Sequence, residues 1–325
     1  MSRVRVAVIG GGQSSEHAVS LASAASVAAA LDPSEHDVVT LTIGRDGTWQ
    51  DATGPLGTSS ARSLAAAVEQ IATCDVALPV VHGPKGEDGT LAALCDLAGV
   101  PYVGSGVRGG ALAMDKWATK LVAQELGIRT AHGDLVTATD ARRLSFEDPV
   151  VVKPVAAGSS HGVTLVRTAA DLDAAIETAL ALDDRALVEE LVTGREVDIA
   201  VLERPDGSRL VGPALEIVVP RDALFDADTK YDGSADFRLP AQLEEPDLKA
   251  LSDAALALFD ALGCAGVARF DFFLTPDGPV LNEVNTMPGM TAESQVPRMF
   301  AAIGLPYADL LAELVAAALG TARAR

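Results

Sequence analysis

Two carboxylates and one carboxamide, Asp271, Glu283 and Asn285, stand on neighbouring apolar runs in the last quarter of the chain. Side chains at i and i+2 of a strand project from the same face, so Glu283 and Asn285 project together. Asp271 lies in the run 266–274, which the turn sequence Thr275-Pro-Asp-Gly folds back on 280–285 as a hairpin. The three oxygen donors then converge. Phe270, Phe272, Phe273, Leu274, Val280, Leu281 and Val284 surround them with core-type side chains, and a carboxylate in such surroundings needs a partner. Magnesium takes one or two carboxylates and completes its shell with water and phosphate oxygens. The chemistry indicated is the handling of a metal nucleotide.

Phosphate needs donors as well as a metal. Lys153 ends an apolar run and is followed by Pro154-Val-Ala-Ala-Gly-Ser-Ser-His-Gly162, where small residues let backbone N–H groups approach phosphate oxygens and Ser159 and Ser160 add hydroxyls. This is not a P-loop sequence, and alone such a turn also reads as an ordinary hairpin connection. Lys116 and Lys230 are further candidate cations, although an isolated lysine is usually a solvated charge. Gly10-Gly-Gly lacks the third glycine of a dinucleotide fingerprint. His82-Gly-Pro-Lys-Gly-Glu-Asp-Gly89 follows an expected strand, where open α/β sheets bind ligands.

These residues need a scaffold. The first hundred or so positions alternate β-rich and Ala-rich segments, which predicts parallel βαβ units with strands at 4–9, 37–43, 76–81 and 101–104 and a helix over 18–31 capped by Ser14 or Ser15. A second unit has a helical run from 114 to 126, strands at 149–153, 163–166 and 186–191, and a helix over 170–182. A third has strands at 197–202 and 210–219, a polar loop over 220–240, and helices over 248–262 and 307–319 beside the hairpin. A loop that long in a compact domain is usually a functional lid or disordered. The 325 residues are 49% hydrophobic and 22% charged, with a formal net charge of −20. Such an acidic chain disfavours nucleic-acid backbone and anionic membrane as partners. Cys74, Cys95 and Cys264 stand apart, which predicts neither a disulfide framework nor a zinc site, and a reducing cytoplasm is the expected compartment.

In this order the motifs resemble the ATP-grasp superfamily, and within it the D-alanine:D-alanine ligases. The resemblance rests on the glycine-rich segment 11–21, on 82–89, Met114-Asp-Lys116, 153–162, Lys230-Tyr231, Arg269 to Asp271 and Asn282-Glu-Val-Asn-Thr-Met-Pro-Gly-Met-Thr291. It implies an α/β, three-domain ATP-grasp architecture: an N-terminal substrate domain (1–108), a central domain (109–192) and a C-terminal domain (193–325) carrying the metal site and lid. ATP would lie between the last two. Lys116, Lys153 and Lys230 would meet phosphates under Ser159 and Ser160, and Asn282 would join them. Glu189, Leu191 and Glu196 would contact adenine and ribose. Asp271, Glu283 and Asn285 would hold two magnesium ions, manganese being an alternative. Glu16 would bind the first substrate's ammonium and form a set with Ser159 and Tyr231. Arg269 and Gly289 would make an oxyanion site, and His82, Ser294 and Gln295 would complete the substrate subsites.

The activity implied is ATP-dependent joining of two D-alanines through an acylphosphate, for peptidoglycan, by a cytoplasmic homodimer. Phe225 and Ala227 stand where the family commonly has tyrosines, and Gln295 where it usually has leucine. These departures cluster at the second subsite and its lid. They motivate the alternative of the same chemistry with another acceptor, such as a related D-amino acid, as in a resistance-type or natural-product dipeptide ligase.

Overall fold

The computed structural model describes residues 3–139, 144–218 and 236–324. Lys230, Tyr231, Phe225 and Ala227, and the expected lid up to residue 235, lie outside the described residues. β1 (Val4–Gly11) is an almost unbroken apolar run buried from Val6 onward, the pattern of a strand covered on both faces. It pairs in parallel with β2 (His36–Ile43) and β5 (Val76–Pro79), while β3 (Trp49–Asp51) and β4 (Gly54–Pro55) add an antiparallel margin. The strand order is β4-β3-β2-β1-β5. Helices α1 (His17–Ala30), α2 (Ser60–Ile71) and α3 (Thr90–Ala98) complete this lobe.

Two expectations change here. The N-cap of α1 is Glu16, without a side-chain cap bond, because the Ser14 hydroxyl donates instead to the His82 carbonyl at 2.8 Å. Segment 101–104 forms only a single bridge, Ala77 to Tyr102. Pro101 has no N–H to donate and Gly104 turns away at φ +107°, so pairing does not propagate.

The helix expected over 114–126 is α5 (Lys116–Glu125), and a further helix, α4 (Val107–Met114), precedes it. Asp115 sits between them in extended conformation and its carboxylate caps α5 through the Ala118 N–H at 2.9 Å. Such a cap satisfies one of the helix's orphan donors. β6 (Arg129–Thr130) follows, then β7 (Gly133–Thr137), β8 (Val150–Pro154), β9 (Thr164–Val166), α6 (Ala169–Leu180) and β10 (Arg185–Glu190). The second sheet is antiparallel, ordered β7-β10-β8-β9, with α6 on one face.

The third sheet holds β11 (Arg195–Glu203), β12 (Arg209–Val211), β13 (Leu215–Val218), β14 (Asp236–Arg238), β15 (Val267–Thr275) and β16 (Gly278–Asn285). Its order is β14-β13-β11-β15-β16-β6, with β12 also on β11. The single strand expected over 210–219 is therefore two, split at Gly212-Pro213, where proline removes a ladder donor. β13 pairs with Glu196 to Asp198 and β12 with Val201 to Glu203. Helix α7 (Glu245–Leu262) covers this sheet; Ala113 of α4 and Ala123 of α5 are buried with it against Val197, Phe270 and Phe272. Helices α8 (Gln295–Ala302) and α9 (Tyr307–Ala324) close the chain. Val8 and Leu78 of the first sheet share one core with Ala200 and Leu202 of β11, Met290, Phe300 and Leu311. That shared core fixes the first sheet against the third. No single described helix is long and apolar enough to cross a membrane.

Phe270 is 0% exposed at the centre of the third sheet's core. Phe270→Ala is expected to cost about 3–5 kcal/mol by opening a cavity, read as a lowered midpoint in urea unfolding.

Candidate active site

The hairpin of β15 and β16 closes where the Thr275-Pro-Asp-Gly signal places it, with Thr275 paired to Gly278. Asp271 faces Glu283 and Arg269 faces Asn285, and the register then shifts so that Phe272 faces Leu281. Asn282 is thus an extra residue on β16, a bulge that turns its side chain away from the ladder. Its Oδ1 accepts from Lys153 Nζ at 3.1 Å. The bulge joins the third sheet to β8 of the second.

Charge compensation organises what surrounds the acids. Arg269 grips Asp271 with two N–H groups, Nε and Nη2, each at 2.7 Å, and gives a third, Nη1, to Gln295 Oε1 at 2.7 Å. Asp198, 2% exposed on β11 opposite Asp271, has Oδ2 3.5 Å from Arg269 Nε. Burial works against the guanidinium charge, but Asp271 outweighs it and raises the Arg269 pKa. A guanidinium carries five N–H groups, so donors remain for a ligand. Asn285 Nδ2 donates to Asp271 Oδ2 at 3.0 Å. Lys116 Nζ lies 3.2 Å from Glu283 Oε2 and donates to Ala157 O at 2.8 Å. Lys153 Nζ lies 2.7 Å from Glu189 Oε2. Every one of these carboxylates is held by a basic group.

The loop after β8 crosses this face. Ala156 N–H donates to Asp183 Oδ2 at 2.6 Å, which pins its start. Ser159 and Ser160 follow at φ +50° and +56°, a left-handed conformation uncommon for residues other than glycine. The Ser159 hydroxyl donates to Glu16 Oε1 at 2.5 Å. Glycines on either side make room for Glu16. A Cβ on Gly83 would stand 2.7 Å from Glu16 Oε2, and one on Gly158 would collide with the same oxygen. Glu16 and Ser159, 143 positions apart, are brought into direct contact. The Tyr231 expected to join them lies outside the described residues, as does Lys230.

The Met287 to Met290 turn is seated on the first lobe. His82, 3% exposed, donates from Nδ1 to Met287 O at 2.8 Å, and Ser23 Oγ meets Nε2 at 2.9 Å. Burial lowers the His82 pKa, and a carbonyl at Nδ1 fixes the neutral tautomer with its proton there. Glu87 accepts from Met287 N–H at 2.9 Å and from Gly83 N–H at 2.8 Å. Burial first, and the charge of Glu16 second, push its carboxyl up to about 8. Ser23 also accepts from Met290 N–H at 3.2 Å. Both ring nitrogens of His82, expected at a substrate, are therefore engaged within the protein, where they hold the turn that carries Gly289. Ser294 caps α8 without a side-chain cap bond, and its hydroxyl accepts from Thr291 N–H at 3.0 Å. Glu196 lies on β11 opposite Phe273, and Leu191 directly follows β10.

Asp271, Glu283 and Asn285 offer two carboxylates and an amide on one hairpin face, a hard-oxygen set that fits magnesium. Among the described residues no three His, Cys, Asp or Glu side chains form a metal cage by themselves, so phosphate and water oxygens would supply the rest of the shell. A small cavity beside them is lined by Glu87, Lys116, Ala157, Gly158, Glu283 and Asn285.

Residues 5–105 match the family model for the D-ala D-ala ligase N-terminus, and residues 127–316 match that for the D-ala D-ala ligase C-terminus. The chain belongs to the D-alanine–D-alanine ligase family. A D-alanine–D-alanine ligase of Mycolicibacterium gilvum is 41% identical over 98% of both chains, and one of Mycobacterium sp. strain KMS is 43% identical with the same coverage. The VanG D-Ala:D-Ser ligase of Enterococcus faecalis superposes with a TM-score of 0.83 at 34% identity, covering 98% of this chain and 100% of that one. The D-alanine–D-alanine ligase of Bacillus anthracis, solved in complex with ATP, gives 0.80 at 26% identity over 99% of each. The fold is that of the ATP-grasp ligases, and the enzyme class is ATP-dependent ligation.

Sequence reasoning missed Asp198, Glu87 and Lys120. Asp198 sits in the run Val197-Asp-Ile-Ala-Val201, the same acid-in-apolar-strand signal that singled out Asp271. Glu87 lies inside a quoted motif, but nothing local marks it as a clasp on a turn 200 positions away.

Gly158→Ala is expected to push the Glu16 carboxylate off Ser159 while the fold stands, because the clash falls on a side-chain end. Misplacement of this size near the reacting groups costs about a hundredfold in rate, measured as turnover with the melting temperature unchanged.

Proposed function

We propose that this protein joins two D-alanines at the expense of ATP, with the three-domain division at 1–108, 109–192 and 193–325. The single observation that carries the reading is the meeting of Glu16, Ser159, Lys116, Lys153, Arg269 and the Asp271–Glu283–Asn285 face from three separate sheets. A carboxylate is a poor electrophile, so the first D-alanine's carboxylate oxygen attacks the γ-phosphorus of ATP and ADP leaves. The resulting acylphosphate has a good leaving group. The amine of the second D-alanine attacks its carbonyl carbon, the amine proton is lost, and inorganic phosphate departs.

The chain's own groups act as follows. Glu16 holds the first substrate's ammonium, kept in place by Ser159 and by the space that Gly83 and Gly158 leave. Lys116 spends two N–H donors on protein partners and keeps a third for phosphate oxygens, whereas Lys153, held by Asn282 and Glu189, meets phosphate by releasing Glu189. Lys230 and Ser160 would assist them, with Asn282 orienting Lys153. Glu189, Leu191 and Glu196 border the nucleoside. The free donors of Arg269 and the Gly289 N–H stabilise the tetrahedral oxyanion. Magnesium held by Asp271, Glu283 and Asn285 would supply charge neutralisation for the transferring phosphoryl group. Positioning provides most of the acceleration. A cytoplasmic homodimer is the setting this reading takes.

Gln295 favours a second reading at the acceptor. Its Oε1 is taken by Arg269, which leaves its amide N–H groups as donors suited to an acceptor richer in polar groups than alanine. One experiment separates the two. ADP release and product mass are followed with D-alanine alone, then with D-serine or D-lactate added. D-alanyl-D-alanine from D-alanine alone is expected. Turnover only with another acceptor would keep the chemistry and replace the substrate, and no ATP turnover with any of them would overturn the proposal.

A further inference from the structure

Lys120 stands one helical turn after Lys116 on α5 and is 4% exposed, yet nothing in the chemistry above uses it. Its Nζ donates to Ala131 O at 2.5 Å and to Glu189 Oε1. The other oxygen of the same carboxylate, Oε2, lies 2.7 Å from Lys153 Nζ. Glu189 is 4% exposed and Lys153 6%, so two ammonium groups and one carboxylate share a buried site. Burial works against the Glu189 charge, but Lys153 and Lys120 outweigh it and hold its pKa below the ordinary carboxylate value. Burial also lowers the Lys120 pKa, against the pull of Glu189.

This arrangement matters when Lys153 is asked to do something else. A phosphate oxygen competes with Glu189 Oε2 for Lys153. If Lys153 were the only partner of Glu189, its departure would leave a buried carboxylate unpaired, which is strongly unfavourable. We infer that Lys120 is a positioning residue for nucleotide binding: it is the standing counter-ion of Glu189 that lets Lys153 pass from the carboxylate to a phosphate of ATP. Its second bond, to the Ala131 carbonyl between β6 and β7, ties it to a fixed point while Lys153 changes partners. The inference rests on the reading that Lys153 meets phosphate.

A double-mutant cycle on the full-length protein tests it, with ATP affinity measured by calorimetry. Lys120→Met is expected to weaken ATP binding about tenfold, within the range of couplings between contacting charged residues. In the Glu189→Gln background the same change is expected to shift affinity by less than about twofold, because no carboxylate remains to be neutralised. A merely structural lysine would cost the same in both backgrounds, and that result overturns the inference, as does an unchanged affinity in Lys120→Met alone. Lys153→Met is the control for the reading beneath it. If that variant binds ATP as the parent does, Lys153 does not meet phosphate and both fall; if it binds weakly while Lys120→Met does not, only the inference falls. Where Lys120→Met does not fold, Lys120→Gln, which keeps a donor for Ala131 O without the charge, takes its place in the same cycle.

Discussion

A buried carboxyl stays ionised only where a cation offsets the loss of water, and most of the acids in this site have one. Its positive groups are therefore assigned before any ligand arrives: Arg269 to Asp271, with Asp198 nearby, Lys116 to Glu283, and Lys120 and Lys153 to Glu189. In a chain of net charge −20, these few basic side chains are gathered where an anionic nucleotide is handled. Removing one member of such a pair costs more than the pair contributes, because the partner is left charged and dry. The same pairs set how the site responds to a ligand. A donor already spent must be released or shared: spare N–H groups on Arg269 and Lys116 make sharing possible, and Lys120 beside Glu189 leaves that carboxylate paired when Lys153 is released.

Geometry is supplied by contacts between lobes rather than within them. The Met287 peptide is held on both sides, its N–H by Glu87 and its carbonyl by His82. Asn285 is two residues before that clasp and Gly289 two residues after it. The end of β16 that carries Glu283 and Asn285 and the turn that carries Gly289 are thereby positioned by the first sheet, and the shared core of β1, β5, β11 and α9 keeps that relation. The β16 bulge does the corresponding work toward the second sheet, by offering Asn282 to Lys153.

The hairpin was legible because it combined two independent signals, acids inside apolar runs and a turn sequence between them. The glycine-rich loop and Glu16 were legible as motifs, and the structure brings Ser159 and Glu16 into contact. What sequence reasoning could not separate was a buried lysine from a solvated one: Lys120 follows Lys116 at helical spacing, the position of an ordinary surface charge. Helices α2, α3, α4 and α8 were given no bounds, each being only about two to three turns long. The expected strand over 101–104 failed because an apolar composition does not supply the N–H that Pro101 lacks. The His82 motif was found, but its partners lie 205 positions away at Met287 and 59 away at Ser23, beyond the reach of any local pattern.

The central claim is that this site activates a carboxylate by phosphoryl transfer before the second amine attacks. D-alanine labelled with oxygen-18 in its carboxylate tests it most directly. Transfer of the γ-phosphoryl group to that carboxylate predicts one labelled oxygen in each inorganic phosphate released with the dipeptide. Phosphate free of label would contradict the acylphosphate route and the roles assigned to Lys116, Lys153 and Arg269.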